Sequence, residues 1–328
     1  MSVPWLVYFL SLIAAAISTA ATMPLWRRWC QKTGLMDEPG HRKIHSEPIA
    51  LAGGLAVFTG ILIPLLAAYV ILSFEFPDAS VSEKFHYGFG KRFDQLTAIC
   101  GGALGMLILG WLDDKHELKP LLKFGGQLLI ASATAFAGIR ITLFVESSIF
   151  SYAITILWIL TIVNAMNFLD NMNGLCAGLT AIAAAAFGAI AALRDQYLVS
   201  SFCWLISGAF LGFIPYNYPK ASAFLGDAGS HLAGYLLAVI AILPHFYSAS
   251  HPKKWAVLTP VIILAVPLFD ITQVVLRRIK NRKPIYVGDN NHISHLLVKR
   301  GFSKPVATAL IWCIALLSGL LGLILNII

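Results

Sequence analysis

The chain has 328 residues, 58% of them hydrophobic and only 12% charged, about half the 25% or so of an ordinary soluble domain. With a mean hydropathy of +0.76, this excludes a disordered chain, a fibrous one and a water-soluble enzyme. No long stretch has soluble-like composition, which also excludes a single anchor on a soluble domain. The net charge of +8 must be sorted by membrane side before it is read as a partner signal.

Ten apolar segments run in chain order at about 3–23, 51–73, 95–112, 121–139, 149–168, 174–192, 198–214, 229–247, 256–275 and 305–327. They are continuous and near the ~20 residues a helix needs to cross hydrocarbon. A barrel would show alternating segments of about ten. The expected fold is therefore all-α: a polytopic integral membrane protein of about ten transmembrane helices, a single domain over 1–328. The first segment has no basic flank before it and no clear cleavage site, and Arg27 and Arg28 follow it. It reads as a retained span, not a signal peptide. There is no internal repeat, low-complexity segment or linker. Cys30, Cys100, Cys176, Cys203 and Cys313 lie in or beside apolar runs without metal-type spacing, and read as free thiols acting as small hydrophobes.

With the N-terminus outside, the inner loops carry 17 Lys and Arg and the outer loops 7, a clear positive-inside bias. Both termini then fall outside. The basic inner face suits anionic lipid and phosphorylated substrates, not nucleic acid.

An ionised carboxylate inside a span costs about 2.5–3.5 kcal/mol on insertion scales, so the placement of 16 acidic residues is informative. Asp113 and Asp114 end the third span, Asp170 ends the fifth, Asp227 begins the eighth, and Asp270 nears the inner end of the ninth. Asp289 shares the last inner loop with His292 and His295. All fall on one face, as a shared site would place them. Such a cluster repels itself unless a cation sits in it, and hard carboxylate oxygens favour magnesium or manganese. The residues alone thus point to a magnesium and diphosphate site at the inner membrane surface.

Each motif also has a plainer explanation. Asp113-Asp114 can simply end a helix, and adjacent residues point about 100° apart, so both cannot aim at one ion without fraying. Asn164, Asn167 and Asp170 share a helical face and can form an interhelix network. Asp227 in FLGDAGS can be an ordinary helix cap. His292 and His295 can be surface histidines, and Arg42-Lys43-His45 a positive-inside anchor. His231 and the remaining histidines read as structural.

The segments DEPGHRKIHSEPIALAGG, GWLDDKHELKPLLKFGGQ, NAMNFLDNMNGLCAG, FLGDAGS, PLFD followed by RR, and DNNHISHLLVKRGFS together resemble the polyprenyl-phosphate N-acetylhexosamine-1-phosphate transferases, glycosyltransferase family 4. The likeness spans roughly residues 34 to 303. It implies attack of undecaprenyl phosphate on the β-phosphate of a UDP-amino sugar, with release of UMP, at the cytoplasmic face of a bacterial inner membrane. It also implies Mg2+, with Mn2+ as a substitute, and a homodimer in the lipid bilayer. Catalytic roles fall on Asp113, Asp114, Asp170, His292 and His295, and the metal ligand is Asp227. Substrate contacts fall on Lys43, His45, Lys123, Asn164, Asn167, Asn173 and, against uracil, Phe224. The family usually reads DGxDGL where this chain has Asp170-Asn171-Met172-Asn173-Gly174-Leu175, and HIHH where it has His292-Ile293-Ser294-His295. The first-loop pattern and the last-loop histidines look more like the GlcNAc-1-phosphate branch than the phospho-MurNAc-pentapeptide translocases, which remain the alternative. An ion-coupled carrier and an inactive envelope scaffold are the rivals from other classes.

Overall fold

The computed structural model describes residues 4–38, 47–72, 79–244, 246–247, 252–284 and 291–327. Among these, helices carry nearly everything. They are α1 (Trp5–Thr33), α2 (Gly53–Leu72), α3 (Ala79–His116), α4 (Pro120–Phe136), α5 (Ser148–Leu169), α6 (Leu175–Leu193), α7 (Tyr197–Asn217), α8 (Gly226–Ile240), α9 (Thr259–Ile263), α10 (Ala265–Lys280), α11 (Ile293–Lys299) and α12 (Lys304–Ile327). A 3-10 turn at Lys254–Leu258 leads into α9. Two short antiparallel strands, β1 (Met36–Asp37) and β2 (Ile49–Ala50), pair Met36 with Ala50 and Asp37 with Ile49.

Seven helices, α1, α2, α3, α5, α6, α7 and α12, are long and apolar enough to cross a membrane. The pair formed by 254–263 and α10, bent by 69°, makes an eighth candidate. The two remaining apolar segments form α4, with 17 residues, and α8, with 15. This is a multi-pass α-helical membrane protein. Only helices satisfy every backbone polar group inside hydrocarbon.

The largest departure from the sequence expectation is α8, expected at 229–247 and found at Gly226–Ile240. All its residues except Asp227 are buried, and it packs on α2, α3, α5 and α6. A helix enclosed by protein need not match the bilayer thickness. The other departure is α3, whose helix runs 38 residues from Ala79. Each added residue of a formed helix gains one backbone hydrogen bond, so the polar run before residue 95 continues the helix.

Small residues set the close contacts, as expected where lipid supplies no hydrophobic drive between helices. Gly208 and Gly212 of α7 rest on the backbone of α1 at Leu12 and Ala16. Gly54 of α2 and Gly110 of α3 rest on the backbone of α8 at Ala228–Gly229 and at Asp227–Ala228. These last two bring the N-terminus of α8 against α2 and α3. Leu, Ile and Phe side chains on α1, α12 and α10, such as Leu6, Leu317 and Phe269, stay exposed and meet lipid.

A Cβ at Gly110 would collide with the Asp227 carbonyl, whereas a Cβ at Gly101 meets nothing within 4 Å. Gly110→Ala is therefore expected to lower stability by about 1–3 kcal/mol, and Gly101→Ala to leave it unchanged or slightly raised. Thermal unfolding in detergent checks this.

Candidate active site

The site begins where α3 turns into α4. The Leu118 N–H donates to Asp113 Oδ1 at 2.8 Å and the Glu117 N–H to the Asp113 carbonyl at 2.9 Å, closing a tight turn in which Glu117 takes φ 47°. Pro120 starts α4 without needing an N–H. One turn on, the Lys123 ammonium reaches back to Asp113 Oδ2 at 2.6 Å and across to Asp227 Oδ2 at 2.7 Å. It also donates to Asn167 Oδ1 at 3.3 Å. One cation thus ties α3, α4, α5 and α8 together.

Asp114 faces elsewhere. Its two oxygens accept the N–H groups of Asp227 at 2.8 Å and Ala228 at 3.0 Å. It is the N-terminal cap of α8, supplied from another helix, where free donors and the helix dipole favour a negative charge. Gly226, at φ 73°, lies directly beneath this carboxylate, and a Cβ there would press on Asp114 Oδ2. The adjacent acids therefore do separate jobs: Asp113 meets the cation and Asp114 meets the helix end.

The α5 face arrives as its spacing requires. Asn167 Nδ2 donates to Asp227 Oδ1 at 2.7 Å and to Ser230 Oγ at 2.9 Å. Asn164 Nδ2 donates to Gln127 Oε1 at 2.8 Å, and Gln127 Nε2 lies 2.9 Å from His231 Nε2. His231 Nδ1 lies 2.6 Å from the Asp227 carbonyl. This chain of contacts is satisfied by a neutral His231 carrying its proton on Nδ1. Asp170 caps α5, and its carboxylate accepts no hydrogen bond from the described residues. Burial pushes it well above the usual carboxylate range, and the charges of Asp227 and Asp114 push the same way.

The short helix α11 makes a second cluster. Fully buried Asp270 of α10 accepts from His292 Nδ1 at 2.7 Å and from the Ile293 N–H at 2.7 Å. The Ser294 hydroxyl donates to Asn171 Oδ1 at 2.6 Å. Two of the three positions at which the last-loop and α5 motifs depart from the family pattern, Asn171 and Ser294, thus touch each other, and the third, Asn173, does not join them. Burial lowers the proton affinity of His295, as do the charges of His292, Lys299 and Lys304.

The structure brings Asp113, Asp114, Lys123, Asn167 and Asp227 into direct contact, with Asn164 one step behind. Asp170 sits at the end of the same helix, and His292 is linked to it through Ser294 and Asn171. Asn173 turns away, donating to the Pro219 carbonyl at 3.1 Å. Phe224 ties the loop before α8 to β2 and α2: its N–H donates to Ala50 at 2.9 Å, and its carbonyl accepts from Gly53 at 2.9 Å. Lys43 and His45 lie outside the described residues, as does Asp289. Sequence reasoning missed Gln127, Ser230 and His231. The signal was helical spacing: Gln127 is four residues after Lys123, and His231 four after Asp227.

Among the described residues, no group of three or more His, Cys, Asp or Glu is arranged to hold a metal ion unaided. The donor chemistry nonetheless fits a hard cation. Asp227 offers carboxylate oxygens that keep lone pairs beyond the bonds from Lys123 and Asn167, and Asp170 is a carboxylate that accepts no hydrogen bond from the described residues. Magnesium commonly takes one or two carboxylates together with substrate phosphates.

A bundle of membrane-crossing helices with this charged polar nest at one end defines a multi-pass membrane protein. The family model for glycosyl transferase family 4 matches residues 96–245. The chain is 31% identical over 327 residues to the "Probable undecaprenyl-phosphate N-acetylglucosaminyl 1-phosphate transferase" of Bacillus subtilis, covering 97% of this chain and 84% of that protein. It is 31% identical to a decaprenyl-phosphate N-acetylglucosaminephosphotransferase of Mycobacterium tuberculosis, over 92% of this chain and 78% of the other. It is 28% identical to the undecaprenyl-phosphate alpha-N-acetylglucosaminyl 1-phosphate transferase of Escherichia coli K12, over 95% and 82%. The chain belongs to glycosyl transferase family 4, and it is a sugar-1-phosphate transferase.

Asp114→Ala leaves two α8 donors without a partner and is expected to cost about 1–3 kcal/mol of stability, read as a lower unfolding midpoint. A second expectation concerns pH. Below about 6.5, the ordinary imidazole value, the unfolded chain takes up a proton that folded His295 resists, so stability falls with pH. His295→Gln should show a shallower fall in unfolding midpoint between about pH 7.5 and 5.5.

Proposed function

We propose that this protein transfers N-acetylglucosamine-1-phosphate from UDP-N-acetylglucosamine to undecaprenyl phosphate. The reaction would start an envelope polysaccharide at the cytoplasmic face of a bacterial inner membrane, within a single domain. The observation that carries this reading is the Lys123 ammonium seated between Asp113 and Asp227 at one end of the bundle. The named activities of relatives matched along nearly the whole chain support it.

In this reading an oxygen of the lipid phosphate attacks the β-phosphorus of the donor. A new P–O bond forms, the bond to the bridging oxygen breaks, and UMP leaves with that oxygen. Such a transfer needs positioning and charge neutralisation more than covalent help from the protein. Asp227, with Asp170, would hold Mg2+, which would supply Lewis-acid stabilisation of the diphosphate. Lys123 neutralises the site, and Asn167 fixes the Asp227 carboxylate through Oδ1. Asp113 holds Lys123 from behind and Asp114 holds the start of α8, so both carboxylates act by keeping the machinery in place. Phe224 offers a ring to the uracil. His292, its Nδ1 tied to Asp270, presents Nε2 to the diphosphate.

Membranes or purified protein with undecaprenyl phosphate should release UMP from UDP-N-acetylglucosamine in a magnesium-dependent way. Asp227→Asn should reduce that release by at least about a thousandfold while the protein remains folded. Normal turnover in the variant would refute the role given to Asp227. A panel of UDP-sugars in the same assay ranks the donors.

A further inference from the structure

We infer that Asn171 and Ser294 form a positioning pair. Their hydrogen bond docks α11 on the loop that follows Asp170, and so fixes the two histidines relative to that acid. Ser294 is fully buried, and its hydroxyl donates to Asn171 Oδ1 at 2.6 Å. The amide of Asn171 is itself oriented, because its Nδ2 donates to the Phe168 carbonyl at 2.7 Å. Oδ1 is thereby left as the acceptor facing α11. The Phe168 ring meets His292 edge-on at 5.8 Å between centroids, and the Arg278 guanidinium lies 5.0 Å from the same ring on its other contact.

α11 has only seven residues, too few to hold its place by helical hydrogen bonds alone. It is pinned on two sides. On one, Asp270 takes His292 Nδ1 and the Ile293 N–H, which sets the ring. On the other, Ser294 takes Asn171, which sets the distance to the neighbouring residue, Asp170. Both side chains are engaged in this contact, Asn171 also on Phe168, and they act through their neighbours and not on substrate. Losing a polar contact of this kind lets a short helix shift, and small misplacements are costly in transfer reactions.

This inference rests on the proposed transfer reaction, and its test separates the two. Ser294→Ala and Asn171→Ala are each expected to lower kcat for UMP release about tenfold, with KM for UDP-N-acetylglucosamine changed less than about twofold. The double variant should lose about tenfold, not a hundredfold, because one shared contact is removed. Losses that multiply, or singles that turn over like the parent, would overturn the pairing. So would a loss confined to KM. If the parent protein releases no UMP, the functional reading fails and the pair is judged by thermal unfolding. Equal drops in midpoint for both singles and the double uphold the contact, and additive drops reject it.

Discussion

One ammonium group holds the polar end of this protein together. Lys123 sits 2.6 Å from Asp113 and 2.7 Å from Asp227, with the Asp113 carboxylate mostly and the Asp227 carboxylate partly withdrawn from water. Two such charges held close would repel and would each carry a desolvation cost of several kcal/mol. A single cation between them offsets both. Because its three partners lie on three other helices, the contact also fixes how α3, α4, α5 and α8 meet. The rest of the site hangs on that junction. Asp114, pointing about 100° away from its neighbour Asp113, caps α8 while Asp113 meets the lysine.

Much of this was legible in the sequence. The ten apolar segments correspond to seven long helices, one bent pair and two short helices. The i, i+3, i+6 spacing of Asn164, Asn167 and Asp170 placed one polar face at the end of α5. The 100° offset of adjacent helical residues was enough to say that Asp113 and Asp114 could not share an ion. The structure shows where each one goes instead.

What was not legible depended on tertiary contact. Nothing in the hydropathy of α8 says that it is enclosed by α2, α3, α5 and α6, so its length was misjudged toward that of a lipid-facing span. His231 lies in an apolar run and read as a structural histidine. Only the meeting of α4 with α8 shows it 2.9 Å from Gln127 and 2.6 Å from the Asp227 carbonyl. Asn171, Asn173 and Ser294 stand out in the sequence as unrelated departures from a family pattern. That Asn171 and Ser294, 123 positions apart in sequence, answer each other is visible only in the folded chain.

The most direct test of the lysine junction is a double-mutant cycle read by unfolding in detergent, independent of any substrate. Lys123→Met alone should cost about 1–3 kcal/mol, the penalty for leaving partly buried carboxylates without their charged donor. Combining it with Asp113→Asn should recover a large part of that loss. Losses that simply add would contradict the account, as would a Lys123→Met protein as stable as its parent.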